Sequence, residues 1–133
     1  MNKTVLITGT TSGVGASIAH SFIEKGWNVI GFARGVSLFN FKNYEHHMVD
    51  IMDPFALEDA FREIGKIDIL INNAGMLINQ PFSTINFQSW RNIYSTNVFG
   101  PAQLIRALLP LLIKKETDSL SHIVNVSSIG GVQ

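Results

Sequence analysis

Three short stretches of this chain carry residue types at spacings that could do chemistry. The first is Thr8-Gly9-Thr10-Thr11-Ser12-Gly13-Val14-Gly15. It follows the apolar run Val5-Leu6-Ile7 and precedes a helical pattern. Strand, glycine loop and helix in that order make a phosphate cradle. Gly9 lets the strand turn sharply, because glycine takes a positive φ at little cost. Gly13 and Gly15 have no Cβ, so a ligand and the neighbouring strand can come close. The free N–H groups of the helix's first turn then point at an anion, and the helix dipole favours negative charge there. A pyrophosphate suits such a seat. The plainer reading is a tight strand-to-helix turn that binds nothing. The second stretch is Asn72-Asn73-Ala74-Gly75, and the third is Ser127-Ser128 behind the apolar run that starts at Ile123. The loop lacks the Lys-Ser/Thr ending of an ATP-type phosphate loop, which argues against a kinase or ATPase. His46 and His47 are adjacent in a strand pattern, so they face opposite sides and do not share a metal ion. No metal site is expected.

The elements that must hold these stretches alternate between strands and helices. Residues 5–8 read as a buried strand and residues 14–25 as a helix, with Ile18, Ala19, Phe22 and Ile23 on its apolar side. Gly26 stands where a glycine closes a helix. Residues 27–32 read as a second strand. The segment 35–44 has no clear period and is expected to be a short helix or a compact loop covering the crossover. Residues 45–49 read as a third strand ending at Asp50. Asp53-Pro54 has the N-cap and first-turn chemistry of a helix start, and Leu57, Ala60, Phe61 and Ile64 form that helix's apolar face. Residues 67–71 read as a fourth strand, residues 81–86 as a loop and residues 87–115 as a long helical region. Gly100-Pro101 is expected to kink or break that region without ending it. Residues 123–126 read as a fifth strand. Glu58-Asp59 and Lys114-Lys115-Glu116 read as solvated helix faces. Such alternation predicts a doubly wound α/β fold with a parallel sheet, right-handed crossovers and helices on both faces. Its ligands sit beyond the carboxyl ends of the strands.

A length of 133 residues suits one domain spanning 1–133. The apolar fraction is 46% against 15% charged, which leaves apolar surface in want of a partner. Basic and acidic residues balance at 10 each, so nothing points to nucleic acid or an anionic membrane surface. There is no cysteine, which excludes disulfides and thiolate metal sites and fits a reducing compartment. The first apolar run is too short for a signal peptide, and no stretch approaches a membrane span. The cytoplasm is the expected location.

Taken together, Thr8-Gly9-x-x-x-Gly13-x-Gly15, Asn72-Asn73-Ala74-Gly75, Asn97 and Asn125-Val126-Ser127-Ser128 resemble the short-chain dehydrogenase/reductase family along the whole chain. The resemblance implies a Rossmann-type sheet with strand order 3-2-1-4-5 and interconversion of an alcohol and a carbonyl with NAD or NADP. It implies that Gly9, Ser12, Gly13, Val14 and Gly15 hold the pyrophosphate, that Asn73, Ala74 and Gly75 lie along the adenosine ribose, and that Asp50 contacts the adenine. It gives Asn97 the support of a proton relay and Ser128, rather than Ser127, the polarisation of the substrate carbonyl. Each residue also has an ordinary reading: Asp50 capping a loop, Asn97 a helix residue with a satisfied amide, the serines ending a strand.

The second strand bears on the choice of dinucleotide. An NAD site places Asp or Glu about 20 residues past the glycine loop, on the ribose 2′-hydroxyl. Here the strand ends in Ala33-Arg34, with no acid. The guanidinium fork of Arg34 matches a 2′-phosphate, so NADP is expected in preference to NAD; the alternative is a solvated surface arginine.

The family's acid–base pair is a tyrosine followed four positions later by a lysine, after the serine. No Tyr or Lys follows Ser128 here; Tyr44 is followed at that spacing by Met48, and Tyr94 by Val98. The 133 residues are therefore expected to be the cofactor-binding part of a longer reductase, inactive alone. The rival is a short nucleotide-binding or interaction module. The small-molecule carbonyl or alcohol substrate belongs to the longer form. Its identity is not legible, because the residues that choose it come later. Homo-oligomerisation through the long helix or the fifth strand's edge is also expected.

Overall fold

The computed structural model of the protein describes residues 2–113 and 119–128. The expected helix end at Lys115, the run Lys114-Lys115-Glu116 and Ile129-Gly130-Gly131 lie outside them. Among these residues five parallel strands form one sheet: β1 (Thr4–Thr8), β2 (Asn28–Ala33), β3 (Tyr44–Met48), β4 (Ile69–Asn72) and β5 (His122–Asn125). Their order is β3-β2-β1-β4-β5, as the alternation and the resemblance imply. Among the described residues four α-helices connect them: α1 (Gly13–Glu24), α2 (Pro54–Glu63), α3 (Phe87–Tyr94) and α4 (Gly100–Leu112). No helix among the described residues is long and apolar enough to cross a membrane.

β1 is central, and Val5, Leu6 and Ile7 are fully buried because both faces of a parallel sheet are covered. Alternation sends the side chains to two cores. Val5 and Ile7 join Val29, Ile71 and the α1 residues Ala19 and Ile23. Leu6 joins Ile30, Phe32, Leu70, the α2 residues Leu57 and Ala60, and the α4 residues Leu104, Leu108 and Leu112. The two cores lock β1 in register, since a slip of one residue would exchange its faces.

Local chemistry accounts for most element ends. Gly26 takes φ 77°, its N–H donates to the Ile23 carbonyl, and the Trp27 N–H donates to the Phe22 carbonyl. That pair of bonds is a Schellman closure of α1. Asp53 caps α2, its Oδ1 accepting from the N–H groups of Phe55 and Ala56 at 3.0 and 3.2 Å. Residues 35–43 form the compact loop rather than a helix. The Ser37 hydroxyl both donates to the Phe39 carbonyl and accepts from its N–H, a local exchange that competes with helix formation. Phe39 and Phe41 supply the covering layer, packing around His20, with Phe39 edge-on to Tyr44. The loop before α3 contains a short 3₁₀ turn, Phe82–Thr84.

The long helical region is interrupted directly before Gly100-Pro101 and then continues. A π-helical turn at Ser95–Phe99 separates α3 from α4. Pro101 then falls in the first turn of α4, directly behind the π turn, where the Gly100 N–H still donates to the Ser95 carbonyl. Gly100 fits there because a Cβ would lie 2.9 Å from Ile51 Cδ1. β5 pairs with β4 alone among the described residues, and all four of its residues are exposed.

Candidate functional site

The carboxyl ends of β1 to β4 open onto a cleft of about 990 Å³. Gly9, Ser12, Gly13 and Val14 line one wall, Arg34 and Asp50 another, and Asn73, Ala74 and Gly75 the floor. Ser95 and Thr96 of the π turn complete it. A second cavity, of about 590 Å³, lies at the amino ends of the strands beside Thr4, Asn28 and Asp68. That is the wrong edge for the ligand of a parallel sheet.

Each glycine of the loop has a distinct reason. Gly9 turns the chain at φ 76°, and a Cβ there would lie 3.0 Å from Ala74 Cα and from Asn73 Nδ2. At Gly15 a Cβ would lie 2.1 Å from the Gly9 carbonyl oxygen and 2.3 Å from Asn73 Nδ2. Gly15 thus lets α1 press against the β1 exit and the Asn73 turn, and it is absent from the cleft wall. Gly13 takes φ 55° and has nothing within 4 Å of its Cβ position. Only there does the missing side chain leave space for a ligand.

The start of α1 is bare. Ser12 is its N-cap, in extended backbone, yet its side chain caps nothing, and no acid stands in the first turn. The N–H groups of Gly13, Val14 and Gly15 precede the first helical bond, which Ala16 donates to the Ser12 carbonyl. Helix N-terminal donors left so carry partial positive charge. The donor set and the open space at Gly13 fit a phosphate-bearing ligand.

The Asn72-Asn73-Ala74-Gly75 turn is held from β1. The buried Thr8 Oγ1 accepts from the Asn73 N–H at 3.0 Å and the Ala74 N–H at 2.9 Å, and Asn73 Nδ2 donates to the Gly9 carbonyl at 3.3 Å. Thr8 was part of the motif without a role of its own. A threonine at the end of an apolar strand, ahead of the first loop glycine, is the signal that could have found it. Asp50 does what its ordinary reading says: Oδ1 accepts from the Met52 N–H at 2.9 Å. The same residue lines the cleft.

Asn97 and Ser128, like Gly15, do not join the cleft lining. Asn97 sits in the π turn and clasps Met76, with Oδ1 accepting from its N–H at 2.7 Å and Nδ2 donating to its carbonyl at 2.8 Å. Ser128 lies past β5 and is exposed. The two histidines do face apart. His46 bonds Tyr44 and the Gly35 carbonyl, and His47 bonds Glu45 and stacks edge-on to Phe32. Glu45, His47 and Glu63 bring ligand-type atoms within 4.8 Å of one another. None of the three lines the cleft, and both glutamates are exposed.

A family model described as short chain dehydrogenase matches residues 3–133. Serine 3-dehydrogenase of Agrobacterium fabrum is 36% identical over 143 residues, covering 97% of this chain and 55% of that protein. Ligand-free aldohexose dehydrogenase of Thermoplasma acidophilum superposes with a TM-score of 0.84 at 30% identity, over 96% of this chain and 50% of that one. The structure of ElxO with NADP bound gives a TM-score of 0.84 at 26% identity, over 100% of this chain and 58% of that one. The chain therefore spans about half the length of the relatives it matches.

Proposed function

This chain belongs to the short chain dehydrogenase family, and from that premise we propose that it is the NADP-binding part of an oxidoreductase that interconverts an alcohol and a carbonyl. One observation carries the proposal: the bare N-terminus of α1 opens onto the same cleft as Arg34, Asp50 and the Asn73-Ala74-Gly75 turn. In this reading Gly9, Ser12, Gly13 and Val14 shape the pyrophosphate seat, while Gly15 acts by packing α1 close enough. Arg34, with no acid at the end of β2, faces the 2′-phosphate. Asp50 has one carboxylate oxygen committed to Met52 and offers the other to the adenine. Asn73, Ala74 and Gly75 lie along the adenosine ribose, fixed by Thr8.

The dinucleotide, when bound, supplies or accepts the hydride. The chain's part is to orient it, to donate from Ser128 to the substrate oxygen, and to hold the floor of the cleft through the Asn97 clasp on Met76. Proton transfer needs a positioned acid–base group. None of these 133 residues is a tyrosine followed four positions later by lysine. The relay therefore lies outside them, and so do the residues that select the substrate.

Titration of the purified chain with NADPH and NADH tests the reading. NADPH is expected to bind at least about tenfold more tightly, since a charge-assisted contact to one phosphate contributes about 1.5–3 kcal/mol. A tenfold preference for NADH, or no binding of either, would overturn it. Turnover by the isolated chain with NADPH and a generic carbonyl would overturn the assignment of the relay.

A further inference from the structure

A chain of side-chain hydrogen bonds runs outside the cleft and joins two of its walls. It begins at Thr10 in the glycine loop, which is 1% exposed. Thr10 Oγ1 lies 3.0 Å from Tyr44 Oη, and Tyr44 Oη lies 2.8 Å from His46 Nδ1. His46 Nε2 lies 2.8 Å from the Gly35 carbonyl oxygen. A carbonyl only accepts, so Nε2 carries a hydrogen. In the neutral ring Nδ1 then accepts from the Tyr44 hydroxyl, whose oxygen accepts from Thr10. One direction of donation satisfies every member.

The packing makes room for this chain. A Cβ at Gly31, in the middle of β2, would lie 2.1 Å from Tyr44 Oη and 2.6 Å from Thr10 Oγ1. The Tyr44 ring is held edge-on by Phe39 at 5.1 Å between centroids. At the far end, the Arg34-Gly35 turn is already a neighbour of the glycine loop, because a Gly35 Cβ would lie 3.6 Å from Thr11 Cγ2.

We propose that His46 is a positioning residue for cofactor choice: it holds the Gly35 carbonyl and thereby sets the backbone from which Arg34 reaches the cleft, with Thr10 and Tyr44 fixing the imidazole. This rests on Arg34 as the 2′-phosphate residue. His46 does not touch the cofactor. Arg34 is an exposed, flexible side chain, so the entropy lost on binding a phosphate depends on how well its backbone is held beforehand.

The test measures NADPH and NADH dissociation constants, with circular dichroism melting, for the chain and for His46→Ala, His46→Gln and Tyr44→Phe. His46→Ala is expected to weaken NADPH about tenfold and NADH less than about twofold, the scale of one or two lost hydrogen bonds. The glutamine amide nitrogen can stand where Nε2 stood, so His46→Gln should recover to within about threefold of the parent. Tyr44→Phe should fall between the two, and it carries the test if His46→Ala does not fold. In an Arg34→Ala background the same changes should no longer affect NADPH, because interacting residues are non-additive. Equal losses for both dinucleotides, no loss, or a full loss persisting without Arg34 would each overturn the proposal. If the parent chain binds neither dinucleotide, the cofactor reading itself falls and takes this one with it. If the parent prefers NADPH and Arg34→Ala abolishes the preference while the His46 and Tyr44 variants are silent, this proposal alone falls.

Discussion

The starts of α1 and α2 face the same end of the sheet and are finished in opposite ways. At α2 the Asp53 carboxylate accepts from the N–H groups of Phe55 and Ala56, and Pro54 has no N–H to satisfy. The helix is closed by its own sequence. At α1 the N-cap is Ser12, whose hydroxyl caps nothing, and glycines stand where α2 has bulk. α3 resembles α2 here, with Asn86 accepting from the Ser89 N–H at 2.8 Å. A side-chain N-cap is worth about 1 kcal/mol of stability. α1 forgoes that contribution and keeps donors and a dipole end turned to the cleft. The difference separates a helix start closed by its own side chains from one left open to the cleft.

Substitutions can break or sharpen this contrast. The largest effect is expected for Gly15→Val. Its Cβ would sit 2.1 Å from the Gly9 carbonyl oxygen, so the α1 start must move. A loss of about 1–3 kcal/mol in the thermal melt should come with loss of measurable NADPH binding. Arg34→Ala should weaken NADPH about tenfold or more in a titration, the scale of one lost charge-assisted contact, and leave NADH within about twofold. Ser12→Asp would give α1 the kind of cap that α2 has. Melting should show a gain of about 0.5–1 kcal/mol, and NADPH should bind about tenfold more weakly through repulsion at the pyrophosphate. Asp53→Ala should cost about 1 kcal/mol in the melt and leave both dissociation constants unchanged. Equal effects of Ser12→Asp and Asp53→Ala on binding would erase the distinction between the two helix starts.

Much of the architecture was legible residue by residue. The inner strands β1, β2 and β4 read as apolar runs because a parallel sheet buries both faces there, and Gly26 and Asp53-Pro54 mark helix ends through local backbone chemistry. Boundaries differ by one or two residues at all five strands, where pairing rather than composition decides the last bond. The expected interruption is present, directly ahead of Gly100-Pro101. Pro101 announces an irregularity, but the chain absorbs it one turn earlier, in the π turn that also sets Asn97 against Met76. Asn97 and Ser128 were grouped with the loop residues by motif, whereas the cleft is lined without them.

The alternation of strands and helices, the positive-φ glycines and the missing acid after β2 are properties of neighbours in the chain, where steric and capping forces act over a few residues. They determined the sheet, its bare helix start and the presence of Arg34 at the end of β2. The Thr10–Tyr44–His46–Gly35 chain joins positions up to 34 residues apart, and Thr8 reaches 65 and 66 residues to the Asn73 turn. Such bonds have no period and no local signature. They exist only once parallel pairing has set β3 beside β2 and β4 beside β1, so the tertiary structure alone decided which side chains hold the cleft's walls in place.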